Sequence, residues 1–127
     1  MTPESALFLA RAHKFLGESG AVLNIGLNDA AGRAAYLAGF HAAQALISER
    51  TGRAVKTHKG VHAEFHRLTK DDPRLPDELR TFLSQTYNLK AVADYETGPG
   101  VDVSAEQAAK ALERSRRFVA HLESLLV

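Results

Sequence analysis

The stretch GRAAYLAGFHAAQALISERTG, residues 32–52, decides the fold that this sequence predicts. Nearly every position from residue 34 to residue 43 is apolar or small, which is typical of a central helix that is buried on most of its sides. Its alanines and glycines let neighbouring helices approach closely. The same stretch carries Arg33, Tyr36 and His41, so three polar side chains fall within or beside a predicted core.

Helical patterns also occupy the sequence on both sides of this stretch. Thr2 and Pro3 form a helix-entry pattern, and Ser104 with Gln107 forms a capping-box pattern before the last helix. The prolines of KDDPRLP, residues 70–76, separate the third helical pattern from the fourth. The predicted helices are residues 4–24, 28–51, 59–69, 76–96 and 104–126.

The arrangement of these segments predicts the fold class. The sequence shows no strand alternation, internal repeat or interdomain linker, and its 127 residues suffice for one core. We therefore expect a single domain over residues 1–127. Its fold should be all-α, an up-and-down helical bundle of four long helices plus one short helix.

The overall composition excludes several classes of protein. The chain has no cysteine, which excludes disulfides and thiolate metal sites. Its formal net charge of +1 gives no strong global attraction to nucleic acid or membranes. No segment approaches the roughly 20 apolar residues of a membrane span, and the N-terminal sequence lacks a signal-peptide pattern. We therefore expect a cytoplasmic protein that does not bind membranes.

Three histidines, His58, His62 and His66, recur at four-residue intervals and would share one helical face. Imidazoles at this spacing can share a zinc ion. No carboxylate-rich motif accompanies them, however, and a solvated or partly packed histidine face explains them better. The sequence therefore predicts no metal site. Because it also lacks phosphate-binding glycine loops and serine-nucleophile motifs, it gives no reason to expect a cofactor.

The polar residues of the central helix have a structural explanation when they are considered alone. Arg33 and His41 are two turns apart, a rise of about 12 Å, so they cannot easily form one catalytic pair on the same helix. Tyr36 and His41 would instead have rings in the core and polar tips, provided that each finds a buried hydrogen-bond partner.

Taken together, four segments of the sequence resemble the HEPN-domain proteins, and in particular their small single-domain subgroup. The segments are GRAAYLAGFHAAQALISERTG, KTHKGVHAEF, KAVADY and SAEQAAKALERSRRFVAHLESLL. The second helix of the subgroup has the pattern R-x-x-Y-x-A-x-F-H-A-A-x-A-L, which this sequence follows in register. A K-x-H-x-G-V…F segment, with slight spacing differences, and the tripeptide A-D-Y are matched as well. The matching positions are Arg33, Tyr36, Ala38, Phe40, His41, Ala42, Ala43, Ala45, Leu46, Lys56, His58, Gly60, Val61, Phe65, Ala93, Asp94 and Tyr95.

This resemblance implies a bundle of four or more helices that is usually a homodimer. It also implies a protein that often works beside a small nucleotidyltransferase-like protein, frequently as a toxin–antitoxin pair. Active HEPN toxins cleave RNA without a metal, using an Arg-x(4–6)-His motif near the dimer cleft. In that chemistry histidine moves protons at the ribose 2′-oxygen, and arginine stabilises the charge on the phosphate.

The sequence departs from the subgroup at this motif. Lys90 stands where the arginine usually lies, and Asp94 followed by Tyr95 stands where the toxins have histidine. Lysine can hold a phosphate as a point charge but lacks the planar fork of arginine. Aspartate is a poor acid–base substitute for histidine near neutral pH. We therefore expect no robust ribonuclease turnover.

The sequence thus predicts a cleft that contacts RNA or a nucleotide, in a protein that partners a nucleotidyltransferase-like protein in a toxin–antitoxin or stress module. The predicted cleft residues are Arg33, Tyr36, His41, His58 and Lys90; for RNA cleavage, the catalytic candidates are Lys90, Asp94, Tyr95 and His41. An ion pair between Arg33 and Asp94 is predicted to connect the second long helix to the next-to-last one. Two alternatives stay open, an active metal-independent ribonuclease toxin and a non-catalytic dimeric scaffold.

We expect a homodimer in solution, because the helical surfaces are rich in small and apolar residues and the resembling family dimerises. Analytical ultracentrifugation at micromolar protein concentration measures the mass of the species directly. Sedimentation of a 13.8 kDa species alone would contradict this expectation.

Overall fold

The computed structural model describes residues 1–95 and 102–126, except for the side chains of Val92 and Tyr95. The described residues form six helices, numbered in chain order: α1 (Pro3–Asn24), α2 (Asn28–Thr51), α3 (His58–Thr69), α4 (Asp77–Arg80), α5 (Phe82–Tyr95) and α6 (Ala105–Leu126). Within these residues there is no strand, and no helix is both long and apolar enough to cross a membrane. The predicted all-α bundle is therefore confirmed.

Helix α2 lies at the centre of the bundle and contacts α1, α3, α5 and α6. Every residue from position 34 to position 48 is buried, because small side chains predominate and the neighbouring helices pack closely. Two buried serines use this close approach. Ser19 Oγ, on α1, donates to the carbonyl of Ala31 over 2.8 Å. Ser115 Oγ, on α6, donates to the carbonyl of Ala35 over 2.7 Å, so both outer helices bind the backbone of α2.

Three buried phenylalanine rings connect the helices that surround α2. Phe65, Phe82 and Phe118 come from α3, α5 and α6 respectively. The ring centroids of Phe65 and Phe118 are 5.4 Å apart, and those of Phe82 and Phe118 are 4.8 Å apart. Such tilted aromatic contacts stabilise the core beyond the burial of area. Because each ring belongs to a different helix, the contacts fix the three helices relative to one another.

The helix ends follow local capping signals, as the sequence predicts. Thr2 Oγ1 accepts a hydrogen bond from the backbone N–H of Ser5 over 3.1 Å at the start of α1. Before α6, the backbone N–H of Ser104 donates to Oε1 of Gln107 over 2.9 Å, and that of Gln107 to Oγ of Ser104 over 3.0 Å. After α2, Gly52 has a φ of 73°, a left-handed conformation that glycine adopts without steric cost.

The prediction of one continuous helix over residues 76–96 is wrong, because two helices, α4 and α5, meet at Thr81. Thr81 has a ψ of −1°, whereas an α-helix has a ψ of about −42°. Its Oγ1 donates to the carbonyl of Asp77, four residues earlier, over 2.8 Å. Such bonds often bend helices, although the same bond from Thr86 to Phe82 leaves α5 continuous. The predicted end of this helix at Glu96 lies outside the described residues.

Replacing Gly39 with alanine should destabilise the protein, because the new Cβ would overlap Cε2 of Phe82 in the core. Overpacking of this kind costs about 1–3 kcal/mol, which exceeds the roughly 1 kcal/mol that alanine gains in helix propensity. The matched control is Gly17→Ala in α1, where a Cβ meets no atom within 4 Å. Urea unfolding should show a lower free energy of unfolding for Gly39→Ala and an equal or higher one for Gly17→Ala. Equal gains in both variants would contradict the close approach of α5 to α2.

Candidate functional site

The carboxylate of Asp94, on α5, holds two basic side chains from two helices. Its Oδ1 accepts a hydrogen bond from Nε of Arg33, on α2, over 2.8 Å. Its Oδ2 lies 3.0 Å from Nζ of Lys90, one turn earlier on α5. The predicted ion pair between Arg33 and Asp94 is therefore confirmed. We name Arg33, Lys90 and Asp94 the charge cluster; it connects α2 to α5 and has two positive charges against one negative charge.

The charge cluster lies at the boundary between the core and solvent. The side chain of Lys90 is buried, whereas 42% of the Arg33 side chain and 22% of the Asp94 side chain are exposed. A buried ammonium group needs partners, because the loss of its hydration costs free energy. Burial raises the pKa of the Asp94 carboxyl, but the hydrogen bond from Lys90 and the charge of Arg33 outweigh it and lower this pKa below its usual value. Asp94 is therefore ionised at neutral pH.

The hydroxyl group of Tyr36, on α2, lies between two histidine rings of α3. Its Oη is 2.9 Å from Nδ1 of His58 and 2.7 Å from Nε2 of His62. Tyr36 is fully buried, and this burial, followed by the charge of Tyr87, raises the pKa of its hydroxyl above the ordinary value. The hydroxyl therefore keeps its proton, so it can donate to one histidine and accept from the other.

A fourth ring, Tyr87 of α5, completes what we name the ring cluster, which consists of Tyr36, His58, His62 and Tyr87. The Tyr87 centroid is 5.4 Å from that of Tyr36 and 5.5 Å from those of both histidines. On the core side, the buried Phe40 ring lies 4.5 Å from the His58 ring, centroid to centroid. Tyr87 is 37% exposed, so the ring cluster reaches solvent through this side chain.

The histidines of the ring cluster are uncharged at neutral pH. Burial lowers the pKa of His58 most, the charge of Lys90 lowers it further, and the carboxylate of Asp94 opposes both. Burial and then the charge of His58 lower the pKa of His62. Arg33 and Tyr36 are three residues apart on α2, as are Tyr87 and Lys90 on α5, and side chains at this spacing are neighbours. The charge cluster and the ring cluster therefore adjoin each other and form one candidate site.

The predicted cleft residue His41 neighbours the ring cluster through Phe40, whose ring centroid lies 5.4 Å from that of His41 and 4.5 Å from that of His58. Nδ1 of His41 donates to Oε1 of Gln44 over 2.7 Å, and its ring stacks on Phe15 of α1 with centroids 5.3 Å apart. Gln44 Nε2 in turn donates to the carbonyl of Val55 over 2.9 Å, which connects α2 to the loop before α3. Burial lowers the pKa of His41, although the hydrogen bond to Gln44 raises it. Among the described residues, the hydrogen bonds of His41 do not reach the charge cluster.

Two other sequence predictions concern Tyr95 and the histidine series. Tyr95 is the last residue of α5, and its side chain lies outside the described residues. His58 and His62 contact Tyr36, whereas His66 is exposed. In the described part of the chain, no group of three or more His, Cys, Asp or Glu side chains is arranged to hold a metal ion.

The sequence-based site omits two members of the ring cluster, His62 and Tyr87. The four-residue spacing between His58 and His62 could have indicated His62. Side chains at this spacing lie on one face of a helix, so both can contact the same atom of another side chain. Tyr87 precedes Lys90 by three residues, which places both on the same side of α5. Nothing in the sequence, however, indicates that these two helices meet at Tyr36.

Three kinds of functional group lie close together at the site. The charge cluster supplies two hydrogen-bonding cations of the kind that bind phosphate. Tyr87 supplies a partly exposed aromatic ring of the kind on which bases stack. His58 supplies a neutral imidazole, whose unprotonated nitrogen can accept a hydrogen bond or a proton.

Comparison with known families and structures agrees with this architecture. A family model of the HEPN domain matches residues 5–125, so this chain belongs to the HEPN domain family. The crystal structure of TT1696 from Thermus thermophilus is similar, with a TM-score of 0.82 and 20% sequence identity. The likeness covers 97% of this chain and 98% of that chain, and at this identity it supports the fold alone. Among curated proteins, no match to this chain is found.

The protein should lose stability as the pH falls from about 7.5 to about 5.5, where histidines protonate. His41, His58 and His62 have pKa values below the ordinary value in the folded protein, so the unfolded chain binds protons first. Each histidine contributes at most about 1.4 kcal/mol per pH unit. Urea unfolding measures the free energy at each pH, and the slope should be flatter in His41→Gln. Stability that stays constant or rises as the pH falls would contradict the buried, neutral histidines.

Proposed function

We propose that this HEPN-domain protein contacts RNA or a nucleotide at the charge cluster, with the ring cluster beside it, and does not cleave RNA robustly. The observation that carries the proposal is that one carboxylate, Asp94, holds two cations from different helices. Lys90 and Asp94 stand at the positions of the ribonuclease motif in the resembling subgroup. The altered motif therefore keeps a positive group where the toxins bind the scissile phosphate.

The geometry of Arg33 supports contact with a phosphate. Among the described residues, Arg33 bonds Asp94 through Nε, which leaves its two terminal nitrogens available to a ligand. Guanidinium groups bind phosphate oxygens through such paired donors. Asp94 restrains the rotation of the guanidinium, so less conformational entropy is lost when a phosphate binds.

The charge state of Asp94 argues against robust cleavage. An acid–base catalyst works best with a pKa near the operating pH, and the pKa of Asp94 is lowered from a value that is already acidic. Its oxygens are also occupied by Arg33 and Lys90. Asp94 therefore positions two cations, whereas the histidine of the toxins transfers a proton.

A second candidate function, metal-independent ribonuclease activity, is favoured by one observation. His58 is neutral and is acted on by the charges of Lys90 and Asp94, so a proton acceptor lies beside a phosphate-binding cation. In such an enzyme His58, rather than His41, would move the proton, because His41 is buried against Phe15 and Gln44.

We also propose that the protein acts as a homodimer and as the partner of a nucleotidyltransferase-like protein in a toxin–antitoxin or stress module. Support comes from the family to which the chain belongs, since the resembling proteins have these associations. Co-purification with the product of a neighbouring nucleotidyltransferase reading frame tests this pairing. A stable protein that forms no complex with that product would contradict it.

Removing either cation should weaken the binding of a single-stranded RNA oligonucleotide by about tenfold or more, because one charged hydrogen bond is worth about 1.5–3 kcal/mol. The variants are Arg33→Gln and Lys90→Met, the latter of which keeps the apolar stem of a buried side chain. Fluorescence anisotropy at fixed low salt measures the affinity.

The control variants remove the same charges elsewhere. Arg67→Gln breaks an exposed ion pair with Glu64, and Lys110→Met breaks one with Glu106. These controls should retain affinity near that of the wild type, and circular dichroism should show that all four variants fold. Equal losses in site and control variants would contradict a site at the charge cluster.

Incubation of the wild type with total RNA, without metal, separates the two candidate functions. Little or no cleavage supports the proposal. Rapid cleavage that His58→Ala and Lys90→Met abolish, and that His41→Ala retains, would replace it with the ribonuclease alternative.

A further inference from the structure

The hydrogen bonds of Tyr36 constrain the protons of both neighbouring histidines. A hydroxyl group has one proton, so with two neutral imidazoles it donates to one ring and accepts from the other. The contacts involve Nδ1 of His58 and Nε2 of His62, at 2.9 Å and 2.7 Å from the hydroxyl oxygen. The three side chains therefore have two neutral patterns in which both contacts are hydrogen bonds and the buried hydroxyl proton is paired.

In the first pattern Tyr36 donates to His62. His62 then carries its proton on Nδ1, and His58 uses Nδ1–H to donate to the hydroxyl oxygen. In the second pattern Tyr36 donates to His58. His58 then carries its proton on Nε2, and His62 uses Nε2–H to donate to the hydroxyl oxygen. In both patterns the two histidines carry the proton on the nitrogen of the same name.

We propose that Tyr36 is a positioning residue that couples the tautomers of His58 and His62, so that the three side chains form a proton relay. One end of the relay is Nε2 of His58, the ring that adjoins the charge cluster. The other end is Nδ1 of His62, a residue that lines a cleft of about 110 Å³ between α3 and α5. The coupling follows from hydrogen-bond geometry alone; its use on a ligand rests on the proposed function.

The proton balance of the relay is complete without any further group. Starting from the first pattern, Nε2 of His58 takes up one proton and the ring becomes charged. Nδ1 of His58 then passes its proton to the Tyr36 oxygen, and the hydroxyl passes its own proton to Nε2 of His62. His62 releases the proton on Nδ1, which leaves the second pattern. One proton enters and one leaves, and every ring ends neutral.

The surroundings of the three side chains hold the relay in its neutral forms. Lys90 disfavours a charge on His58, Asp94 partly opposes this effect, and the charge of His58 disfavours one on His62. Tyr87 packs on both histidine rings, and Phe40 packs on His58. A charged imidazole is therefore disfavoured here relative to the neutral rings with which the relay begins and ends.

Nitrogen-15 NMR of the histidine rings, on the full-length protein without RNA at about pH 7.5, tests the coupling, because neutral imidazole then predominates. Protonated and bare ring nitrogens have clearly separate chemical shifts, so the spectrum identifies each tautomer. In the wild type, both rings should carry the proton on the nitrogen of the same name. In Tyr36→Phe each ring should become a mixture of both tautomers, although the substitution changes neither histidine.

A second variant and a control distinguish a loss of coupling from a loss of the folded structure. His62→Leu removes one end of the relay, so the Tyr36 hydroxyl should donate to Nδ1 of His58, and His58 should then carry its proton on Nε2. His66→Gln, one turn further along α3, should leave both rings as in the wild type. A wild type whose two rings carry protons on differently named nitrogens would overturn the proposal. So would a folded Tyr36→Phe protein with unchanged tautomers. Since no RNA is present, the result is independent of the affinity measurements on Arg33 and Lys90.

Discussion

The close approach of other helices to α2 is the constraint on which the rest of the structure depends. Gly39 has no room for a methyl group beside Phe82, and Ala35 presents its carbonyl to Ser115 of α6. A helix that is surrounded in this way cannot direct a polar side chain freely into solvent. Each buried polar group on α2 must therefore find a partner within the protein, because an unpaired buried polar group costs about 1–3 kcal/mol.

The candidate site follows from this requirement. The Tyr36 hydroxyl is paired by two histidines of α3, and Arg33, near the start of α2, extends to Asp94 of α5. Among the described residues, no buried side-chain nitrogen or oxygen lacks a hydrogen-bond partner. The same contacts that satisfy the core thus bring cations, neutral imidazoles and an exposed tyrosine to one edge of the bundle. The side chains that form the candidate site therefore also stabilise the fold.

Local features of the sequence predict most of the fold, because small-residue runs and caps act within a few residues. The central helix, the cap at Thr2 and the break after residue 69 are of this kind. The bend at Thr81 also has a local cause, but a threonine within a helical pattern does not reveal which hydrogen bond its hydroxyl makes. The Asp94 partner of Arg33 was predictable only through the resemblance to a family.

The candidate site was less predictable, because its contacts join distant parts of the chain. Tyr36 and His62 are separated by 26 positions, and the sequence contains no signal that connects them. The direction of the His41 side chain was predictable in principle: five residues rotate a helix by about 140°, so the side chains of Tyr36 and His41 leave α2 on different sides. The family pattern groups Tyr36 with His41, whereas the rotation of the helix directs their side chains to different sides of α2.

The central claim is that Arg33 and Lys90, which the carboxylate of Asp94 holds together, both contact one phosphate group of the ligand. A double-mutant cycle tests this claim most directly. The affinity for a single-stranded RNA oligonucleotide is measured for Arg33→Gln, Lys90→Met and the double variant. A shared phosphate site predicts that the two losses do not add, with a coupling of about 0.5–3 kcal/mol. Losses that add fully, or an affinity that none of the variants changes, would contradict the claim.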